Sequence, residues 1–213
     1  MTEEQWLTCT EPEKMLDFLH KARKRKLRLF AVAACRRLQG SWDCALEAAE
    51  RYADGLVSLG ELMDIRTALL GNASTMYRHM GREEVEAYEA LIRAVTEPHA
   101  NEAALLTVEM ATTVLQRVTL CDSLREIFGN PFRAFTLSPT YHSWNDAVVV
   151  RLAQTAYGNR ILPARILDNA RLAILADALE EAGCSDEQIL THLRSSGDHY
   201  RGCFVVDALL GKS

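Results

Sequence analysis

Between positions 184 and 203 the chain gathers Cys184, His192, Arg194, Asp198, His199, Arg201 and Cys203, its densest set of chemically able side chains. Arg194 and His199 stand in an R-x4-H arrangement. A guanidinium can hold an anionic group, and an imidazole can move a proton near neutral pH. Cys184, His192, His199 and Cys203 offer two thiols and two imidazoles, a donor set suited to tetrahedral zinc, and His199 and Cys203 lie one turn apart if helical. The competing reading is structural. Arg194 then caps a helix C-terminus and His199 bonds backbone. Cys184 is a buried contact after Gly183, and Cys203 shares an apolar face with Val206, Leu209 and Leu210.

A second constellation is basic: Lys21, Arg23, Lys24, Arg25, Lys26, Arg28, Arg36 and Arg37, with no acid among them. Such a run can neutralise phosphates. The chain nevertheless carries a net charge of −5. Glu47, Glu50 and Asp54 share one helical face and can pair with the cations internally. An internal ion-paired face is the favoured reading, followed by a protein-binding surface centred on Lys24, Arg25 and Arg28, then by nucleic acid. Asp177, Glu180 and Glu181 read as a solvated helix end. Asp17-x-x-His20 is half of a carboxylate-bridged metal site without its Glu-x-x-His counterpart. No P-loop, dinucleotide fingerprint, nucleophile elbow or HExxH occurs, so no cofactor is expected.

The elements that must position these groups are helices. Leu27, Phe30, Ala31, Ala34 and Leu38 draw one stripe on a helix from Lys24 to Leu38, and Leu29 and Val32 off that stripe predict burial on more than one side. Capping boxes are expected at Thr10/Glu13, Ser58/Glu61 and Ser185/Gln188. Further helices are predicted over 42–54, from 58 to Gly71, and over 83–95, 101–118, 146–157, 167–181, 186–194 and 203–210, with no strand pair. Residues 129–144 form one long aromatic-rich loop, anchored by Phe132 and Trp144. The expectation is an all-α, irregular antiparallel bundle of nine to ten helices. It forms a single domain over 1–213, with an N-terminal layer (1–120) and a C-terminal block (121–213).

At 213 residues, 48% hydrophobic and 25% charged, the composition is that of a soluble globular protein. The longest apolar run, Leu29 to Cys35, falls far short of the roughly 18 residues that span a bilayer. MTEEQW lacks the layout of an export signal. Six cysteines without a CxxC pair are expected to be reduced and mostly buried, in the cytoplasm.

The segments RKLRLFAVAACRR, ERYADGL, CDSLREIFGNPFR, LADALEEAGC and HYRGCFVVDALLGK resemble a large, paralogous group of predicted bacterial helical proteins. So does the opening W-L-x-C-T-x-P-x-x-M-L-x-F-L. The resemblance implies an all-helical fold and brings no activity, cofactor or catalytic residue with it. LADALEEAGC also resembles the short motif of a bacterial repeat-companion domain. Arg194-x4-His199 is similar to the R-x4-6-H motif of HEPN-type ribonucleases, although Ser195, Ser196 and Gly197 interrupt the helix that carries that motif. The expected role is a non-enzymatic interaction, adaptor or regulatory module whose partner is another protein, with nucleic acid second and no membrane. The alternatives are a metal-independent ribonuclease using Arg194 and His199, and a small zinc-stabilised helical domain.

Overall fold

In the computed structural model, helix α3 (Lys24–Arg36) buries everything from Leu27 to Cys35, the off-stripe Leu29 and Val32 included. A helix apolar on all sides must be surrounded. α4 (Asp43–Ala53), α6 (Arg82–Val95) and α7 (Ala100–Ala111) all pack against α3. Val32, Cys35, Leu46, Ala49, Val85, Leu91, Ile92 and Val95 share one core cluster. α1 (Glu3–Thr8), α2 (Pro12–Phe18) and α5 (Leu59–Met76) complete the helices wholly within a first compact unit, residues 1–124. The structure describes residues 1–19, 21–38, 43–76, 81–133 and 137–212. The expected roles of His20 and Trp42, and positions 134–136 of the predicted loop, lie outside the described residues.

The second unit, residues 125–213, begins at the end of α8 (Arg117–Phe128). It continues with α9 (Pro139–Ser143), α10 (Val148–Gly158), α11 (Asn169–Glu181), α12 (Glu187–Leu193) and α13 (Phe204–Leu209). Val149, Ala153, Leu172, Leu175, Leu179, Ile189, Leu193, Val205 and Leu209 make its core. The chain is all-α, and no helix among the described residues is long and apolar enough to cross a membrane.

Local details depart from the expected pattern for identifiable reasons. Thirteen helices form among the described residues rather than nine to ten. The stretch expected as one helix over 101–118 divides into α7 and α8. The first helix ends at Ala111, and the hydroxyls of Thr112 and Thr113 take up the carbonyls of Glu109 and Met110 at that break. α9 forms inside the expected loop, capped by the Ser138 hydroxyl, and α1 is closed by an unforeseen Thr2/Gln5 capping box. α2 starts at Pro12 with no side-chain cap, so Thr10 does not open it; proline at a first helical position has no N–H to cap.

The Ser58/Glu61 box is present, with reciprocal bonds of 2.7 and 3.2 Å. α12 is capped by Asp186 rather than Ser185, its Oδ1 accepting from Gln188 and Ile189 N–H. α5 runs through Gly71, which stays helical, whereas Gly55 (φ 70) turns left-handed after α4. One two-residue antiparallel pair, β1 (Arg160–Ile161) with β2 (Ile166–Leu167), also appears. Of the two expected loop anchors, Trp144 packs on the second core, but Phe132 is 38% exposed.

Candidate metal centre

Four side chains of the second unit bring their ligand atoms within 4.8 Å of one another: Glu126, His192, His199 and Cys203. Each is held by a different piece of backbone. Glu126 sits near the C-terminal end of α8, and His192 in the last turn of α12. His199 lies in the connection after α12, where its carbonyl accepts the Leu167 N–H at 2.7 Å. Asn169 Nδ2 fixes the same connection by donating to Gly197 O at 3.1 Å. Cys203 is the N-cap residue of α13, placed by a left-handed Gly202 (φ 98).

Both oxygens of Glu126 lie 3.1 Å from His199 Nδ1. Glu126 Oε2 is 3.2 Å from His192 Nε2, which is itself 3.2 Å from Cys203 Sγ. His199 Nε2 faces away from this focus and meets Ser195 Oγ at 3.0 Å. The two imidazoles meet edge to face, their centroids 4.8 Å apart. The ring of Phe204 backs His192 at 4.4 Å. Phe204 reaches that position only because residue 129 is glycine. Gly129 is left-handed (φ 65), and a Cβ there would come within 2.9 Å of the Phe204 ring.

Most of the centre is closed to water: His199 is 1% and Cys203 0% exposed, Glu126 9%, and His192 lies at its edge at 17%. Burial pulls His192 below the usual histidine range, Glu126 draws it back up, and His199 pushes it down again. Burial acts on His199 in the same sense, but its hydrogen bond and charge attraction to Glu126 outweigh it and hold this imidazole above its ordinary value. Burial, reinforced by the Glu126 charge, pushes the Cys203 thiol well up. A carboxylate, two imidazoles and a thiol in one mostly buried pocket can share protons as a hydrogen-bonded network or surround a cation.

His192, His199 and Cys203 converge. Cys184 is buried in the core of the unit outside this group, and Glu126 completes the group in its stead. Arg194, the C-cap residue of α12, donates from Nη2 to Asp177 at 2.7 Å and Glu180 at 2.6 Å. Its partners are therefore the carboxylates of α11, while those of His199 are Glu126 and Ser195.

In the first unit Arg25 pairs with Asp54 at 2.9 Å, and Arg36 with Glu50 at 2.9 Å. Arg28 is buried beneath the Tyr52 ring and donates to the carbonyls of Val95, Glu97 and Pro98. Lys24 is exposed. A smaller group, Glu97, His99 and Glu102, lies at the surface. No family model, curated protein or solved structure matches this chain.

Proposed function

We propose that this protein is a non-enzymatic helical interaction module, acting in the cytoplasm of a bacterial cell through contact with another protein. The observation that carries this reading is an open groove of about 700 Å³ on the first unit, lined chiefly by α6 and α7. Ala87, Ala90 and Ala94 line the α6 side, Leu106 and Met110 the α7 side, and Arg93 and Glu109 stand at the rim. Small residues at helical spacing allow a third helix to approach closely, and Leu106, 42% exposed, offers it an apolar anchor. Charged rims around an apolar floor give such a contact its register.

The basic run contributes less to this surface than its charge promises. Arg25 and Arg28 are spent on partners inside the unit, which leaves Lys24 as the exposed member of the trio. Cytoplasmic residence is supported by six unbridged cysteines, four of them buried. The ribonuclease alternative gains no support from Arg194, whose guanidinium is held by two carboxylates.

The test is co-purification from a native host with tagged wild type, the double variant Ala90→Arg/Leu106→Glu, and Lys24→Glu. Both positions of the double variant are exposed, so helicity should be unchanged. An equimolar partner retained by Lys24→Glu and lost from the double variant is expected. Equal recovery by the folded double variant, or hydrolysis of RNA that disappears in His199→Ala, contradicts the proposal.

A further inference from the structure

Beyond any role in protein contact, the second unit brings together four side chains able to ligate a metal. We propose that Glu126, His192, His199 and Cys203 form a closed, structural site for one divalent ion of zinc type, ligated through Glu126 Oε, His192 Nε2, His199 Nδ1 and Cys203 Sγ.

Spacing is the first argument. Tetrahedral zinc with bonds of about 2.0–2.3 Å holds its donor atoms roughly 3.3–3.8 Å apart. Three of the separations, 3.1 Å for His199 to Glu126 and 3.2 Å for His192 to both Glu126 and Cys203, lie just below that range, and all four ligand atoms lie within 4.8 Å of one another. At these three contacts a few tenths of an ångström of outward movement brings the donors to zinc spacing.

Charge is the second. A thiolate and a carboxylate carry two negative charges, and neutral imidazoles add none, so a divalent cation makes the buried centre neutral. Burying a net charge is costly, and this pairing avoids it. On binding, the ion displaces the Cys203 thiol proton to solvent, while the single proton of neutral His199 resides on Nε2, facing Ser195 Oγ, and leaves Nδ1 free to ligate. Nothing is oxidised or reduced.

Orientation is the third. A histidine ligand needs its far nitrogen bonded to something that fixes the ring and its tautomer. Ser195 Oγ does this for His199 Nε2, and Phe204, seated against Gly129, fixes the plane of His192. The donor set of two nitrogens, one sulfur and one oxygen suits zinc, with cobalt as its spectroscopic substitute, over the oxygen-loving magnesium and calcium. Four protein donors fill a tetrahedral shell and leave no position for a reacting water, so the site holds structure.

The test uses the full chain purified without a histidine tag. Metal analysis is expected to return about one zinc ion per chain. Replacement by cobalt should give tetrahedral visible bands and a thiolate-to-metal charge-transfer band. Cys203→Ser should abolish the charge-transfer band, Glu126→Gln and His192→Gln should weaken binding at least about tenfold, and Cys184→Ser should leave spectrum and stoichiometry intact. If Cys203→Ser fails to fold, the charge-transfer band in Cys184→Ser and in a Cys9→Ser/Cys44→Ser double variant still traces the thiolate to a remaining cysteine. Two results overturn the proposal: folded wild type that takes up neither zinc nor cobalt stoichiometrically, and uptake unaffected by all three ligand substitutions. Either result is independent of whether the α6–α7 groove binds a partner.

Discussion

His199 and Glu126 are seventy-three positions apart, and the imidazole Nδ1 sits 3.1 Å from both carboxylate oxygens. The contact joins the end of α8 to the connection preceding α13, two segments otherwise linked through the whole of the second unit. Truncating either partner leaves the other's polar group buried without its mate, at a cost of about 3–5 kcal/mol. His199→Ala and Glu126→Ala should each lower the urea midpoint by a corresponding amount, and the double variant should lose much less than the sum. Strict additivity in that cycle contradicts a shared site.

Gly129 should resist substitution for a reason distinct from its neighbours'. An alanine there adds a strained left-handed residue to a 2.9 Å collision with Phe204, together about 2–4 kcal/mol. Gly183 is also left-handed (φ 94) but faces open space, so Gly183→Ala should cost about 1 kcal/mol. Chemical denaturation of the two variants side by side checks the ordering. Equal losses remove the role assigned to Phe204 packing.

Arg28 should be the most costly cation of the basic run to remove. It serves three carbonyls at and beyond the end of α6 while buried at 2% exposure, so Arg28→Ala should destabilise by about 3 kcal/mol or more. Lys24→Glu, at an exposed position, should change stability by less than about 0.5 kcal/mol. Thermal unfolding of both variants distinguishes an internal fastening from a solvated patch.

Thiol chemistry should follow burial. Cys44 is exposed and Cys9 half-buried, whereas Cys35, Cys121, Cys184 and Cys203 are buried. Burial pushes the Cys35 thiol up to about 12, leaving almost no thiolate at neutral pH. Mass spectrometry after brief alkylation should find Cys44 labelled first, Cys9 next, and the other four only after unfolding. Rapid labelling of all six sulfurs in native protein is the contrary result.

The fold was legible where periodicity alone decides, and less so where a single residue competes with the backbone. α3 followed from its apolar spacing, and the acids expected to meet the basic run, Glu50 and Asp54, do pair with Arg36 and Arg25. The break after Ala111 was hidden because no glycine or proline marks it, and threonine is compatible with both a helix and its end. Asp186 displaced Ser185 as a cap because a cap is fixed by where the first helical residue falls, a matter of one position.

The candidate site was half legible. His192, His199 and Cys203 stood out because they lie close together in sequence, but Glu126 comes from far upstream, where it looked like one more helical acid. The available signal was its setting in Leu-Arg-Glu-Ile-Phe, three residues after the buried Ser123 and among Leu124 and Ile127 on a buried face. A carboxylate in such a place needs a partner. Cys184 misled because proximity in sequence to α12 is not proximity to its His192 side chain.

Metal removal should be felt as lost stability. At a metal concentration about a thousandfold above its dissociation constant, a bound ion adds about 4 kcal/mol. For a chain of this size that corresponds to a Tm fall of roughly 8–16 °C when a strong chelator is added. Differential scanning calorimetry with and without chelator, followed by zinc re-addition, should show the fall and its reversal. An unchanged Tm contradicts a structural role.

The most direct measurement is anomalous X-ray scattering at the zinc edge from crystals grown with zinc present. One strong peak is expected in each chain, within about 2.0–2.3 Å of Glu126 Oε, His192 Nε2, His199 Nδ1 and Cys203 Sγ. Ordered side chains at those four positions, still hydrogen-bonded to one another and with no peak between them, would contradict it.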